Sequence, residues 1–278
     1  YYKLMCKSKI SKFFVQYLEL SKIGRKLNVP LWRIVKAILY KLKTGVLWRH
    51  IPMRQFFGFI KYSWQSVYYH FNKWSQTGVW EECYKRLIYD YRKNLDMSVV
   101  NLDGTHTPAK RGGEAVGYQG RKKCKTSNML IITDKQGVPI GWSAPISGDH
   151  HDSYELKKTA SEIFRGMEQL GLNLEGLFLN ADAGFDVKEF RELCDQKDIF
   201  HNIDFNKRRN KSKQNDEYMI DNELYRERFS VEQLNAWVDG FKSLRFRYET
   251  KSSNWMALHC LAFAIIFIRK FEKLTFSF

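Results

Sequence analysis

The chain has 278 residues and is 44% apolar, enough to bury a sizeable core as two domains or as one with an appendage. Its five cysteines are odd in number, widely spaced and never in a Cys-x-x-Cys pair, which excludes a zinc ribbon and argues against a secreted disulfide scaffold. The net charge of +16 is concentrated: residues 1–97 carry 19 Lys and Arg against five acids, a net of +14, and the remainder carries +2. A positive module on a near-neutral body points to nucleic acid or to an anionic membrane surface.

Tyr1 to Lys12 is polar and holds no cleavable signal, and the missing first methionine points to a short preceding stretch. Leu31–Tyr40 sets apolar side chains at helical spacing behind Pro30, and Gly45 stops that helix. Two more helices are predicted over Tyr62–Ser75 and Val79–Arg92, parted by Gly78. Trp48, Trp64, Tyr68, Tyr69, Phe71, Trp74 and Trp80 crowd this stretch, and a small helical domain needs most of them for its core. The expectation for residues 1–97 is a basic, all-helical, helix-turn-helix-like DNA-binding domain. Which helix enters the groove stays open.

From Ser98 the pattern changes. Strands are predicted at Ser98–Asp103, Asn128–Thr133 and Val138–Pro145, with Asp134–Gly137 as a hairpin turn. A helix over Tyr154–Leu170 follows, then a strand ending at Asp182, a helix at Val187–Gln196 and a strand at Ile199–Phe205. The last helices are Val231–Tyr248 and Asn254–Glu272. The apolar part of the final helix, Trp255–Ile268, is short of the roughly 20 residues that span a bilayer, so a buried helix is expected and no membrane. This order is that of an α/β, ribonuclease-H-like mixed sheet flanked by helices, here over residues 98–278. Two basic loops stand out. Lys110 to Lys125, with Arg121, Lys122 and Lys123, lacks a P-loop ending and suits phosphates near Asp103. Asn206–Lys213 is either a second phosphate contact or a plain solvated loop.

Three acids carry the chemistry. Asp103 and Asp182 each end an apolar run, and Glu232 lies in the first turn of a periodic helix. Ser230 and Gln233 read as a capping box there, with Val231, Leu234, Val238, Phe241 and Tyr248 toward the core. Each acid alone is as well explained by a turn, a strand-end cap or a favourable helix terminus. Together, in this element order, they suit two divalent cations placed on either side of a scissile phosphodiester, for which oxygen ligands suffice. A competing transition-metal site, Asp149-His150-His151-Asp152 with His106 nearby, lacks a third partner at ligand spacing.

At these residues the chain resembles the DDE-type transposases of bacterial insertion sequences, in the group related to the IS-five and IS-four elements. The likeness runs from about Leu31 to Ile268. It is carried by Leu39-Tyr40-x-Leu42-x-Thr44-Gly45-x-x-Trp48-Arg49-x-x-Pro52 and Phe71-x-x-Trp74, then by Leu102–His106, Gly148–Asp152 and Ala181–Asp186. Tyr225-x-x-Arg228-x-x-x-Glu232 is similar to the family's Tyr-Arg-Glu-Lys signature. The resemblance implies a catalytic triad of Asp103, Asp182 and Glu232 holding two Mg²⁺ ions, with Mn²⁺ as a substitute. It implies cleavage and strand transfer at the element's terminal inverted repeats, a homodimer on double-stranded DNA, and a place in the cytoplasm at the nucleoid. Tyr225 and Arg228 are implied DNA contacts. The signature lysine is Asp239 here, and Lys242 is expected to take over its phosphate contact from the same helix. Two other functions fit the same residues: a nuclease of this fold that never joins ends, and a decayed element that only binds DNA.

Overall fold

The computed structural model describes residues 5–19, 27–206 and 220–271; residues 207–213 of the second basic loop lie outside them. The chain forms two compact units, one of residues 1–87, 110–114 and 238–278, the other of residues 88–109 and 115–237.

The first unit opens with α1 (Lys7–Phe13), α2 (Leu31–Thr44), α3 (Met53–Phe57), α4 (Trp64–Gln76) and α5 (Val79–Tyr91). Pro30 precedes α2, where its missing N–H costs nothing, and Gly45 ends it in a left-handed conformation (φ 72°) that a side chain would disfavour. The hydroxyl of Ser63 caps α4 by accepting from the Ser66 N–H at 3.2 Å. Trp74, Trp80, Phe71 and Tyr84 are buried, so the dense aromatics are largely core.

The second unit holds β1 (Val99–Pro108), β2 (Gly117–Gln119), β3 (Cys124–Thr133), β4 (Pro139–Trp142), β5 (Ile146–Ser147), α6 (Leu156–Gln169), β6 (Phe178–Ala181), α7 (Lys188–Gln196), β7 (Phe200–Ile203), α8 (Asn222–Arg226) and α9 (Phe229–Asp239). The sheet runs β2-β3-β1-β6-β7, with β4 and β5 also paired to β3. β1, β3 and β4 form an antiparallel meander joined at Asp134–Gly137, where the Asp134 N–H donates to the Val138 carbonyl at 2.9 Å. β6 and β7 then add in parallel through α6 and α7. This is the ribonuclease-H-like arrangement expected from the sequence.

The chain returns to the first unit with α10 (Lys242–Arg245) and α11 (Ser252–Lys270). α11 is long and apolar enough to cross a membrane by length and composition, but it is mostly buried and packs on α4 and α2. Beside it lies a charged interior network. Lys41 Nζ sits 3.3 Å from Glu249 Oε1, which also accepts from Trp48 Nε1 at 3.1 Å. Arg247 donates to the Glu249 carbonyl at 2.9 Å and the Glu114 carbonyl at 2.7 Å, and its guanidinium lies over the Trp255 ring.

Three local expectations need correction. β1 runs past Asp103 to Pro108, because β3 pairs with it along that whole length. The helix predicted over Val231–Tyr248 is broken: α9 ends at Asp239, Gly240 turns, and Phe241 is extended (φ −98°, ψ 99°) before α10. Asp239 and Lys242 therefore do not share a helix, and Tyr248 is 44% exposed rather than core. Ser230 is no cap. It lies inside α9, buried, and its hydroxyl is engaged with the sheet.

Candidate active site

Parallel pairing brings two of the three acids side by side. β1 and β6 match Val99 with Phe178, Val100 with Leu179 and Asn101 with Asn180. The pairing stops there, and Asp103 and Asp182 each follow two residues on, Asp182 in extended backbone (φ −78°, ψ 171°) just past β6, so both acids leave neighbouring strands in the same direction. Burial pushes the Asp103 carboxyl up to about 6; Arg228 and the Gly104 N–H pull it down, while the Asp182 and Asp152 carboxylates add to the rise. Asp182 caps the short turn Ala183–Phe185, its Oδ1 accepting from the Gly184 N–H at 2.8 Å. Asp186, four residues on, has a different role: it forms a buried ion pair with Arg191 at 2.8 Å.

The third acid arrives on α9. Asn235 Nδ2 donates to Asp103 Oδ2 at 3.3 Å, and Arg228 Nη2 lies 3.9 Å from Asp103 Oδ1. Arg228 reaches Asp103 from the turn before α9 and Asn235 reaches it from the helix, and Glu232, three residues before Asn235, shares that face of α9. Glu232 itself is exposed and makes no hydrogen bond or ion pair among the described residues. No group of three or more His, Cys, Asp or Glu among the described residues is drawn to metal-binding distance, this triad included.

Of the expected DNA contacts, Tyr225 and Arg228 join the site. Arg228 Nη1 donates to Tyr225 Oη at 2.9 Å and stacks its guanidinium over that ring, so the tyrosine aims the arginine at Asp103. Arg121, Lys122 and Lys123 are exposed in the turn after β2, and Lys122 Nζ donates to the His106 carbonyl at 2.7 Å. Lys242 is exposed in the first unit, where a Cβ on Gly45 would meet its side chain at 2.9 Å.

Side chains alternate along β1, so Gly104 and His106 point to the face opposite Asp103. There Asp152 accepts from Asn128 Nδ2 at 2.7 Å and lies 3.4 Å from His106 Nε2. Burial opposes ionisation of Asp152, and the bonds from His106 and Asn128 outweigh it, holding its carboxyl below the usual range. A Cβ on Gly104 would collide with the Asp152 carboxylate, so glycine is favoured there for room. Asp152 is thus occupied and His150 is stacked on Tyr154 at 3.7 Å, while Asp149 and His151 are exposed.

Sequence reasoning missed a row of buried asparagines beneath the acids. Asn202 Nδ2 donates to Asn180 Oδ1 at 2.9 Å, Asn180 Nδ2 to Asn101 Oδ1 at 3.0 Å, and Asn101 Nδ2 to Ser230 Oγ at 2.7 Å. The signal was present: Asn101-Leu102-Asp103, Asn180-Ala181-Asp182 and Asn202-Ile203-Asp204 repeat Asn-x-Asp on three strands. Carried along the β6–β7 register, Asp204 falls next to Asp182.

Residues 94–267 match the family described as "Transposase DDE domain", and residues 8–84 match "Putative transposase of IS4/5 family (DUF4096)". No curated protein matches the chain. Among solved structures it is similar to "Mos1 transposase paired-end complex with left transposon end", at 10% identity over 88% of this chain and 80% of that one, TM-score 0.29. It is also similar to "Crystal structure of a pre-cleavage Mos1 transpososome", at 9% identity over 92% and 84%, TM-score 0.30. A third is "Crystal structure of the Mos1 mariner paired end complex with Mn", at 10% identity over 94% and 86%, TM-score 0.29. The first family covers well over half of the chain, which is therefore a DDE-domain transposase of the insertion-sequence type.

Proposed function

We propose that this transposase cuts and rejoins DNA at the terminal inverted repeats of its own element, with Asp103, Asp182 and Glu232 as the acidic triad. The observation that carries the reading is that Asp103 and Asp182 each follow, two residues on, the paired Asn101 and Asn180 of adjacent parallel strands, with an arginine 3.9 Å from Asp103 as its counter-charge. Like carboxylates held together with so little compensation are costly for folding and useful for binding cations. The donor set is oxygen only, which fits Mg²⁺ or Mn²⁺ and not a thiolate- or imidazole-bound metal. Two such ions, when bound, supply activation of the attacking oxygen and stabilisation of the leaving oxygen.

The chain's own residues divide the remaining work. Asp103 and Asp182 would hold the metal side of the scissile phosphate on rigid strands, and Glu232 would complete the set from α9. Arg228, aimed by Tyr225, lies beside Asp103 with a charge that suits the phosphate entering there. Arg121, Lys122, Lys123 and Lys242 are proposed to contact the DNA backbone, which adds affinity but no sequence information. The basic residues of the 1–97 segment would bind the ends. α4 is acid-free and presents Gln65, Tyr69 and Gln76 to solvent, side chains suited to base edges. The 98–278 segment would carry the chemistry, acting as a homodimer on two ends.

The test uses the full-length protein and a labelled duplex ending in the inverted repeats that flank the gene. Asp103→Asn, Asp182→Asn and Glu232→Gln are each expected to lower Mg²⁺-dependent cleavage by at least about 10³-fold while end binding in chelator is retained. Normal cleavage by any one of them removes that residue from the triad. Cleavage by the wild type without joining to target would favour the nuclease reading.

A further inference from the structure

The three asparagines do more than bridge strands. Each also meets the chain segment that returns with the third acid. Asn202 Nδ2 donates to the Asp221 carbonyl at 3.0 Å, and Asn202 Oδ1 accepts from the Asp221 N–H at 3.0 Å. Asn180 Nδ2 donates to the Leu224 carbonyl at 2.7 Å. Asn101 Nδ2 donates to the Ser230 hydroxyl, which in turn lies 3.3 Å from Thr133 Oγ1. Residues 221, 224 and 230 are thus fastened in turn over β7, β6 and β1.

The spacing links this row to the acids. Asn101, Asn180 and Ser230 each precede an acid of the triad by two residues: Asp103, Asp182 and Glu232. All three are buried, with Asn101 and Asn180 fully so. On a strand, two residues is one full repeat, so each asparagine and its aspartate point to the same face. One hydrogen-bonded line therefore ties the three elements that bear the triad, although on α9 two residues turn the helix by about 200°, so that Ser230 faces the sheet and Glu232 faces away from it.

We propose that Asn101, Asn180, Asn202 and Ser230 form a docking row whose task is to place the Glu232-bearing segment, residues 221–239, against the two strand-borne aspartates. They are positioning residues, not catalytic ones. The physical case is directional. Apolar packing would let a helix slide or roll across a sheet at small cost, whereas a hydrogen bond fails within a fraction of an ångström and about 30°. α9 buries only Ser230, Val231 and Leu234, so apolar contact alone fixes its roll weakly. The row instead fixes the segment at three separate strands. Neutral amides also do this without adding charge beside the carboxylates.

The inference rests on the triad proposed above, and two readouts keep the two apart. The first is hydrogen exchange of the amides in residues 221–239, which needs no metal. The second is Mn²⁺ binding to the full-length protein, followed by electron paramagnetic resonance. Ser230→Ala and Asn180→Ala are expected to speed exchange across 221–239 and to weaken Mn²⁺ binding about 10–100-fold, the range for groups that orient metal ligands. Ser230→Thr, which keeps the hydroxyl, should recover most of the loss. Phe164→Leu, a core change on α6, should lower the unfolding temperature without touching either readout. Unchanged exchange in Ser230→Ala or Asn180→Ala overturns the docking role, as does an equal effect from Phe164→Leu. If Asn180→Ala does not fold, the Ser230 pair decides by the same criteria. If exchange changes as expected but neither Asp103→Ala nor Glu232→Ala loses Mn²⁺, the docking row stands and the metal triad falls.

Discussion

The interior of the first unit and the strand row beneath the acids of the second are held by opposite kinds of polar network. In the first, full charges are buried and matched: Lys41 against Glu249, with Arg247 and Trp48 completing the bonds. In the second, the network beneath the acids is neutral, a line of amides and a hydroxyl, while the buried Asp186 and Arg191 pair with each other. Asp103 and Asp182 stand just beyond the line, with Arg228 as a loose partner of Asp103. In the first unit the buried charges are neutralised where they lie. Where carboxylates must stay available, the parts that hold them in place must not offer a competing charge.

This contrast can be broken most directly at Glu249. Removing one member of a buried pair strands the other, so Glu249→Ala should cost about 3–5 kcal/mol in urea unfolding, while Lys41→Met with Glu249→Met should recover most of it. A small loss in the single variant would mean that water already screens the pair. His259 gives the next largest effect. It is buried in α11, with Nδ1 3.1 Å from the Trp255 carbonyl, and burial lowers its pKa to about 4. The unfolded chain takes up that proton first, so stability should be full above about pH 6.5 and should fall by about 3 kcal/mol as pH drops toward 4. His259→Phe should flatten the curve in that window.

The neutrality of the asparagine row is tested by Asn180→Asp. A buried carboxylate there has no cation to meet it, so its folded pKa should rise above the unfolded value. The variant should lose about 2 kcal/mol of stability, relative to the native protein, between pH 5 and 8. A pH-independent loss would show that the row tolerates charge, and the contrast between the units would collapse. The smallest effect belongs to Gly104→Ala. The methyl group must displace Asp152 from the reverse face of β1, at a cost of about 1 kcal/mol. No loss would mean that Asp152 moves aside freely.

The sequence made the element order and the family legible, because both are written in local signals: apolar runs, Gly45 and Gly78 as stops, and short motifs around each acid. Asp103 and Asp182 stood out for the same reason. What escaped was fixed by pairing rather than by pattern. Ser230 looked like a cap because a serine before a helix usually is one, whereas here the buried amide of Asn101 claims its hydroxyl. Gly104 looked like a turn residue, but its need is space for a carboxylate 48 positions away in sequence. The break at Gly240 was hidden by an apolar rhythm that runs through it, and it removed the ground for exchanging Lys242 with Asp239 on one helix. The repeated Asn-x-Asp was visible, yet its meaning depends on the strand register.

The first unit is made from both ends of the chain. Tyr84 of α5 meets Phe263 of α11 with ring centres 5.7 Å apart, and α4 packs along the same helix. α11 emerges from the ribosome only after the whole sheet-bearing unit, so α2, α4 and α5 lack that packing surface until then. A gene copy interrupted before α11 would yield no finished basic unit, and its product would be a substrate for proteases instead of a competitor for DNA ends.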